Sequence, residues 1–397
     1  MALVRRIIRL GIGLTLGAVL CALLQPADAI RRPPDAADVS IAVRTSAPPP
    51  PASPREVAKA AYKHLTPRQR VGQLFMMGVL STKPSRSDVE GLRNGRGGNV
   101  FIFGNNSDGR ADVRRVVTRL RHATSHRGVR PFVGVDQEGG LVQHLKGPGF
   151  SRMPSAVDQG RLSPRTLRND ARRWGRQLRA TGLNLDLAPV ADTVPASTGR
   201  RNKPIGRLHR EYGHTPRRVR VHVAAFVRGM GSAGVETAVK HFPGLGRATG
   251  NTDDRRRVTD PTRPGGHYLT PYQAGADAGA QFVMVSSAIY PHIDPGVRAC
   301  FSSLIMRGLL RKKQGFSGIV VSDSLSAKSV NWLPPRTRAI RFLEAGGTMV
   351  LDTDADRLPA MTHAVRAKMR HDHAFAALIR HNVMRVLLAK ARNGLIG

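Results

Sequence analysis

Disulfides have almost no raw material in this sequence, whose 397 residues include only two cysteines, Cys21 and Cys300. A disulfide-stapled small fold and a cysteine-based metal site are therefore excluded, and stability has to come from a large apolar core. Aromatics are also scarce, at 5% against 41% hydrophobic residues overall, so that core must be aliphatic. Acidic residues are outnumbered, 27 Asp and Glu against 63 Lys and Arg, for a net charge of +36. Such an excess attracts polyanions, including anionic wall polymers, acidic lipid head groups and nucleic acid. No aromatics interleave with the arginines, which argues against a dedicated nucleic-acid surface. No G-x-G-x-x-G follows the first apolar run, no P-loop appears and no Cys/His cluster has metal-ligand spacing, so no cofactor is expected.

The first 29 residues read as a secretory signal. Arg5, Arg6 and Arg9 precede an apolar run from Leu10 to Leu24, and Ala27-Asp28-Ala29 supplies an A-x-A cleavage pattern. That run is shorter than the roughly 20 residues of a spanning helix, so cleavage is expected rather than an uncleaved anchor. Cys21 follows Leu20, not a small residue, and makes a poor lipidation site. Cleavage would remove three Arg and one Asp, taking the charge from +36 to +34. The expected destination is secretion or association with the cell wall. Residues 30–53, rich in Pro, Ala and Ser, read as a disordered tether, and one folded domain is expected over 54–397.

Within that domain, short apolar runs alternate with longer amphipathic helical patterns, the signature of repeated βα units. Eight runs are expected as strands: Gly72–Met77, Asn99–Phe103, Pro131–Asp136, Leu183–Leu187, Val235–His241, Gln281–Ser286, Gly318–Asp323 and Thr348–Asp352. Between them, Leu167, Ala171, Trp174 and Leu178 form one stripe and Arg165, Arg168, Arg172, Arg176 and Arg179 another, as a helix docked on a core requires. Thr215-Pro216 caps a further helix carrying Val219, Val223, Phe226 and Met230. Phe375, Ile379, Val383 and Val386 mark a final one. The expected fold is α/β, a single (β/α)8 TIM-type barrel with a C-terminal helix. Asp136, Lys240, His241, Asp323 and Asp352 all fall at C-terminal strand ends, the face on which barrel active sites are built.

Three strand endings carry chemistry. The third runs Asp136-Gln137-Glu138-Gly139-Gly140, an acid entering a loop that the glycines make flexible. A carboxylate there accepts hydrogen bonds from substrate hydroxyls, or simply satisfies loop amides. The fifth runs Lys240-His241-Phe242-Pro243-Gly244, followed by a polar loop with Asn251, Thr252, Asp253 and Asp254. Neighbours on a strand point to opposite faces, so both Lys240 and His241 reach a site only if the strand turns there. The seventh ends in Ser322-Asp323. That carboxylate suits a glycosidase nucleophile, although barrels also end strands in Asp for capping or metal binding.

In order and spacing these stretches resemble the bacterial β-N-acetylglucosaminidases of glycoside hydrolase family 3, over about residues 55–395. Also similar are Asn184-Leu185-Asp186-Leu187-Ala188-Pro189-Val190-Ala191-Asp192 on the fourth strand and Val283-Met284-Val285-Ser286 on the sixth. The resemblance implies an exported retaining hydrolase of β-linked N-acetylhexosaminides or related wall glycans, including peptidoglycan fragments. It assigns Asp323 as nucleophile and Asp136, Lys240 and His241 to substrate binding. Such a protein would act as a monomer.

The chain departs from the family pattern at proton transfer. Where relatives carry Asp-Ser-His after the fifth strand, it reads Asn251-Thr252-Asp253, losing an imidazole and its orienting carboxylate. Asp253 takes over the acid/base role if burial or Asp254 raises its pKa, an effect the flanking Arg247, Arg255, Arg256 and Arg257 oppose. Leu141 stands where an Arg commonly follows Gly-Gly, and Lys203-Pro204-Ile205 replaces an Arg-Ser-Phe stretch, which makes Lys203 a candidate substrate contact. Family β-glucosidases take their acid from a second domain, and the about 45 residues after the eighth strand are too few for one. The alternative expectation is a non-catalytic barrel that binds wall glycan or polyanion.

Overall fold

The computed structural model describes residues 52–397, so the secretory segment, Cys21 and all but the end of the tether lie outside the described residues. Ser53 caps the first helix, Pro54–His64, in a reciprocal capping box with Glu56. Eight parallel strands follow. They are β1 Phe75–Leu80, β2 Asn99–Phe103, β3 Val133–Val135, β4 Leu185–Asp186, β5 Glu236–Phe242, β6 Phe282–Val285, β7 Ile319–Ser322 and β8 Val350–Asp352.

Each strand pairs with its neighbour in sequence from β1 through β7, and β1 also pairs with β8. A bridge between Val321 and Met349 joins β7 to β8 and completes the cylinder. Strands covered on both faces read as unbroken apolar runs, and β6 and the β7 residues Ile319, Val320 and Val321 are wholly buried. Outside the cylinder, Leu167, Ala171, Trp174 and Leu178 are buried on helix Pro164–Arg179 while its arginines are exposed. Trp174 packs on Phe226 of helix Pro216–Gly231, ring centroids 6.4 Å apart. The final helix, His373–Arg392, buries Phe375, Ile379, Val383 and Val386. Among the described residues, no helix is long and apolar enough to cross a membrane.

The first strand is displaced from its expected position. Gly72 ends a short helix, Pro67–Gly72, whose N-cap Thr66 exchanges hydrogen bonds with Gln69, and β1 begins only at Phe75. Thr66-Pro67-x-x is a helix-start signal, and it outweighs the β-prone residues that follow. The hairpins Gln137–Gly139 with Val142–Gln143, and Ile289–Tyr290 with Asp294–Arg298, add short strands above the barrel that periodicity does not announce.

Candidate active site

The loop after β3 is held firmly, contrary to the flexibility expected from its glycines. A Cβ on Gly139, at φ +102°, would lie 2.2 Å from the Pro154 carbonyl oxygen, so glycine is there for close approach rather than mobility. Gln159 Nε2 donates to the Glu138 carbonyl at 2.7 Å, and the Gln137 side chain bonds both the N–H and the C=O of Leu145. Asp136 and Glu138 are thereby fixed at the top of the barrel.

Two cations meet them. Lys240 is buried and its Nζ contacts Asp136 Oδ1 and, at 2.7 Å, Glu138 Oε1. Arg210 grips Glu138 through both oxygens, Nε to Oε2 at 2.8 Å and Nη2 to Oε1 at 2.7 Å, the bidentate geometry particular to guanidinium. Burial alone would raise the Glu138 pKa, but Arg210 and Lys240 more than reverse this and hold it below the usual carboxylate range. Desolvation likewise disfavours the Lys240 charge, and Asp136 and Glu138 overcome it and raise its pKa. The four groups form a neutral, fully paired cluster.

β5 delivers both Lys240 and His241 to the same cavity because its register against β6 shifts between Val239 and Phe242. His241 Nδ1 lies 2.7 Å from Asp192 Oδ2. Asp192 is completely buried and also accepts from Leu245 N and Tyr272 Oη, each at 2.7 Å. Burial would raise its pKa, yet His241 and these donors bring it below the ordinary value. With Nδ1 engaged, Nε2 of His241 is the atom available to a ligand.

Asp323 follows β7 at the same end of the barrel. Its N–H donates to the Val285 carbonyl at 2.9 Å, and one carboxylate oxygen, Oδ1, accepts from Ser324 N at 2.8 Å. Facing it is the loop after β5, which arches back over the opening. Ser329 N donates to the Thr252 carbonyl at 3.0 Å and Lys328 N to the Asp253 carbonyl at 3.4 Å, tying this loop to the one that follows Asp323. Asp253 keeps solvent access at the mouth, while desolvation by the surrounding protein and the charge of Asp323 raise its pKa to about 6. The flanking arginines do not prevent this. Arg247 turns away to Thr262, at 2.8 Å, and to the ring of Tyr268, and Arg256 lies over Trp332.

Asp136, Lys240, His241, Asp253 and Asp323 line one cavity of about 440 Å³, together with Arg210, Asn251, Ser324 and Ser326. That volume lies within the range of small-ligand sites. Lys203 is not among the lining residues and is exposed. The buried Asn202 amide anchors the turn by bonding Leu245 O and Ala248 O at 2.6 Å each and accepting from Ile205 N and Gly206 N, which leaves Lys203 on the outer corner. Arg210 supplies a cation there instead. Asp352 also lies outside the lining, packed under the rim against Ser326, Arg338 and Arg357. Leu141 is 67% exposed beside the site. Among the described residues, no group of three His, Cys, Asp or Glu side chains is placed to hold a metal ion.

Sequence reasoning gave no role to Glu138, Asp192 or Arg210. Glu138 and Asp192 stand inside motifs that were legible, and a run of acids at two strand ends beside a lone lysine was the available signal. Arg210, in an irregular loop, had none.

Residues 66–388 match the glycosyl hydrolase family 3 N terminal domain. A β-hexosaminidase of Stenotrophomonas maltophilia is 33% identical over 344 residues, covering 81% of this chain and 96% of that protein. The crystal structure of a β-N-acetylhexosaminidase from Beutenbergia cavernae superposes with a TM-score of 0.80 at 44% identity, over 82% of this chain and 98% of the other. A family 3 β-N-acetylglucosaminidase from a Paenibacillus species gives 0.77 at 28% identity, over 83% of this chain and 63% of its own length.

Proposed function

The chain belongs to glycosyl hydrolase family 3, and on that premise we propose that it is an exported retaining β-N-acetylhexosaminidase with Asp323 as nucleophile and Asp253 as acid/base. It is an O-glycosyl hydrolase of the β-N-acetylhexosaminidase type, consistent with a glycan substrate. Export, attack on wall glycan such as peptidoglycan fragments, electrostatic retention by anionic wall polymers and action as a monomer complete the reading.

The observation that carries it is the placement of two carboxyl groups, Asp253 and Asp323, in the lining of one cavity. Desolvation by the surrounding protein and the charge of Asp323 push the Asp253 pKa up to about 6, which favours its protonated form. In the first step Asp323 attacks the anomeric carbon, the bond to the leaving oxygen breaks and Asp253 gives that oxygen its proton. In the second, Asp253 takes a proton from water, the water oxygen bonds the anomeric carbon and the ester to Asp323 breaks, returning the β-configuration. Asp136, Lys240 and His241 grip the sugar hydroxyls. The cluster with Glu138 and Arg210 fixes the lysine and aspartate, and Asp192 fixes the imidazole.

An activated aryl N-acetyl-β-glucosaminide tests the assignment, since its good leaving group needs little proton transfer. Wild type should turn it over, Asp323→Asn should not, and Asp253→Asn should keep much of the kcat/KM on it while kcat falls, because the second step has lost its base, and should lose both on unactivated glycosides. Saccharide binding by Asp323→Asn together with no turnover by wild type on any such substrate would instead describe a barrel that only binds.

A further inference from the structure

Asp352 ends β8 between two residues, Leu351 and Thr353, that line the catalytic cavity. Successive side chains of a strand point to opposite faces, so the Asp352 carboxylate is turned away from that cavity and under the rim. It is completely buried, and two arginines meet it there. Arg357 Nη1 lies 3.3 Å from Oδ1, and Nη1 of the buried Arg338, on helix Pro335–Glu344, lies 3.7 Å from Oδ2. An aspartate that merely capped its strand would need only the Asp354 N–H, which donates to Oδ1 at 3.1 Å. Two guanidiniums hold this one in place as well.

What the carboxylate holds in turn is the loop after β7. Ser326 Oγ donates to Asp352 Oδ1 at 2.6 Å and accepts from Arg357 Nη1 at 3.0 Å and Thr353 N at 3.3 Å. The Ser326 N–H donates to Ser324 Oγ at 3.2 Å, and the Ser324 N–H donates to Asp323 Oδ1 at 2.8 Å. These contacts lead from the Asp352 carboxylate to the Asp323 carboxylate. Among the described residues, the Ser324 N–H is the one hydrogen-bond donor to the Asp323 carboxylate, so its orientation is set at the end of this path. Leu325 N reinforces the start of the loop by donating to Leu351 O at 2.9 Å. The far end of the same loop is bonded to Thr252 and Asp253 through Ser329 and Lys328, and Ser329 Oγ bonds Ser287 Oγ at 2.8 Å.

We propose that Asp352 is a positioning residue for the nucleophile. Through Ser326 it holds the loop that carries Asp323 at one end and grips the Asp253 loop at the other, and so fixes the separation of the two carboxyl groups that react. This rests on the assignment of Asp323 as nucleophile and Asp253 as acid/base. Attack is steep in geometry, a misplacement of about 1 Å costing up to about a hundredfold in rate. Arg338 and Arg357 act one step further out, by holding Asp352.

The test compares the full chain with Asp352→Asn, Ser326→Ala and Ser326→Thr. Proton transfer matters little on the activated aryl N-acetyl-β-glucosaminide, so this substrate reads the nucleophile. Asp352→Asn and Ser326→Ala should each lower kcat/KM on it about ten- to a hundredfold, and Ser326→Thr, which retains the hydroxyl, should recover most of the loss. The inhibition constant of N-acetylglucosamine should stay within about twofold, since Asp136, Lys240 and His241 keep their places. Amide hydrogen exchange read by mass spectrometry needs no turnover: the peptide from Ser324 to Ser329 should exchange about tenfold faster in Asp352→Asn while the barrel strands keep their protection. Activity that falls only with the folded fraction, or inhibitor binding that weakens in step with it, would make Asp352 an ordinary structural anchor and overturn the proposal. Wild-type turnover by Asp352→Asn would overturn it too. Should the wild type turn over no substrate, faster exchange in the variant would uphold the tie to Asp323 and sink the hydrolase reading, and unchanged exchange would overturn the tie itself.

Discussion

His241 Nδ1 and Asp192 Oδ2 lie 2.7 Å apart, and the same buried carboxylate also receives the Leu245 N–H and the Tyr272 hydroxyl. With the His241 backbone N–H, which also donates to this carboxylate at 3.3 Å, these contacts set both the tautomer and the tilt of the imidazole that faces the sugar. Asp192→Asn removes a charge-assisted hydrogen bond of about 1.5–3 kcal/mol, so kcat/KM should fall about ten- to a hundredfold. Tyr272→Phe, which removes a single donor, should lose less. Steady-state kinetics on an unactivated disaccharide separates the two. Equal activity in Asp192→Asn and wild type would contradict the positioning role.

The pH profile follows from Asp253. An acid whose pKa is raised to about 6 is protonated below that value, so kcat/KM for an unactivated glycoside should fall as the pH rises through about 6. That limb should vanish in Asp253→Asn and flatten for an aryl substrate with a good leaving group. A profile level to pH 8 on the unactivated substrate would exclude Asp253 as the proton donor.

Glu138 holds two cations, Lys240 and Arg210. Glu138→Gln leaves excess buried positive charge and should cost about 3–5 kcal/mol of stability, measured as a lowered urea midpoint. The wild-type residue has a folded pKa below its unfolded value of about 4.3, so its contribution is present above that pH and is lost as the pH falls below it. The variant should therefore close part of its gap to wild type in acid.

Lys390 is completely buried near the N-terminal end of the barrel, bonded to Gln73 Oε1 at 2.6 Å and Gly98 O at 2.9 Å and, among the described residues, without a carboxylate partner. Desolvation drives its pKa well below the ordinary value. The unfolded chain then binds the proton more tightly than the folded one, so this residue makes stability rise with pH up to about 10.4. Lys390→Met should abolish that slope, gaining on wild type at neutral pH relative to pH 10. Thermal melts at the two pH values read the difference.

Much of the fold could be read directly because barrel strands are buried on both faces and so appear as apolar runs such as Phe282–Val285 and Ile319–Val321. Residues at strand ends could be read too, since the parallel topology sends every C-terminal end to one rim. Side-chain partnerships across strands could not. Asp192 meets His241 49 positions later, and Arg210 meets Glu138 72 positions earlier, through loops whose course no periodicity describes. Lys203 lies outside the cavity lining for the same reason, because the Asn202 anchor that turns it outward is a tertiary contact. Asp352 looked like Asp323 by position, and only the arginines beneath the rim separate them.

The central assignment is that Asp323 bonds the anomeric carbon. Incubation with a fluorinated N-acetylglucosaminyl analogue that slows the second step, followed by proteolysis and peptide mass mapping, tests it directly. One sugar should appear on the peptide carrying Asp323 and be absent from Asp323→Asn. An adduct on any other carboxylate, or full turnover by Asp323→Asn, would contradict it.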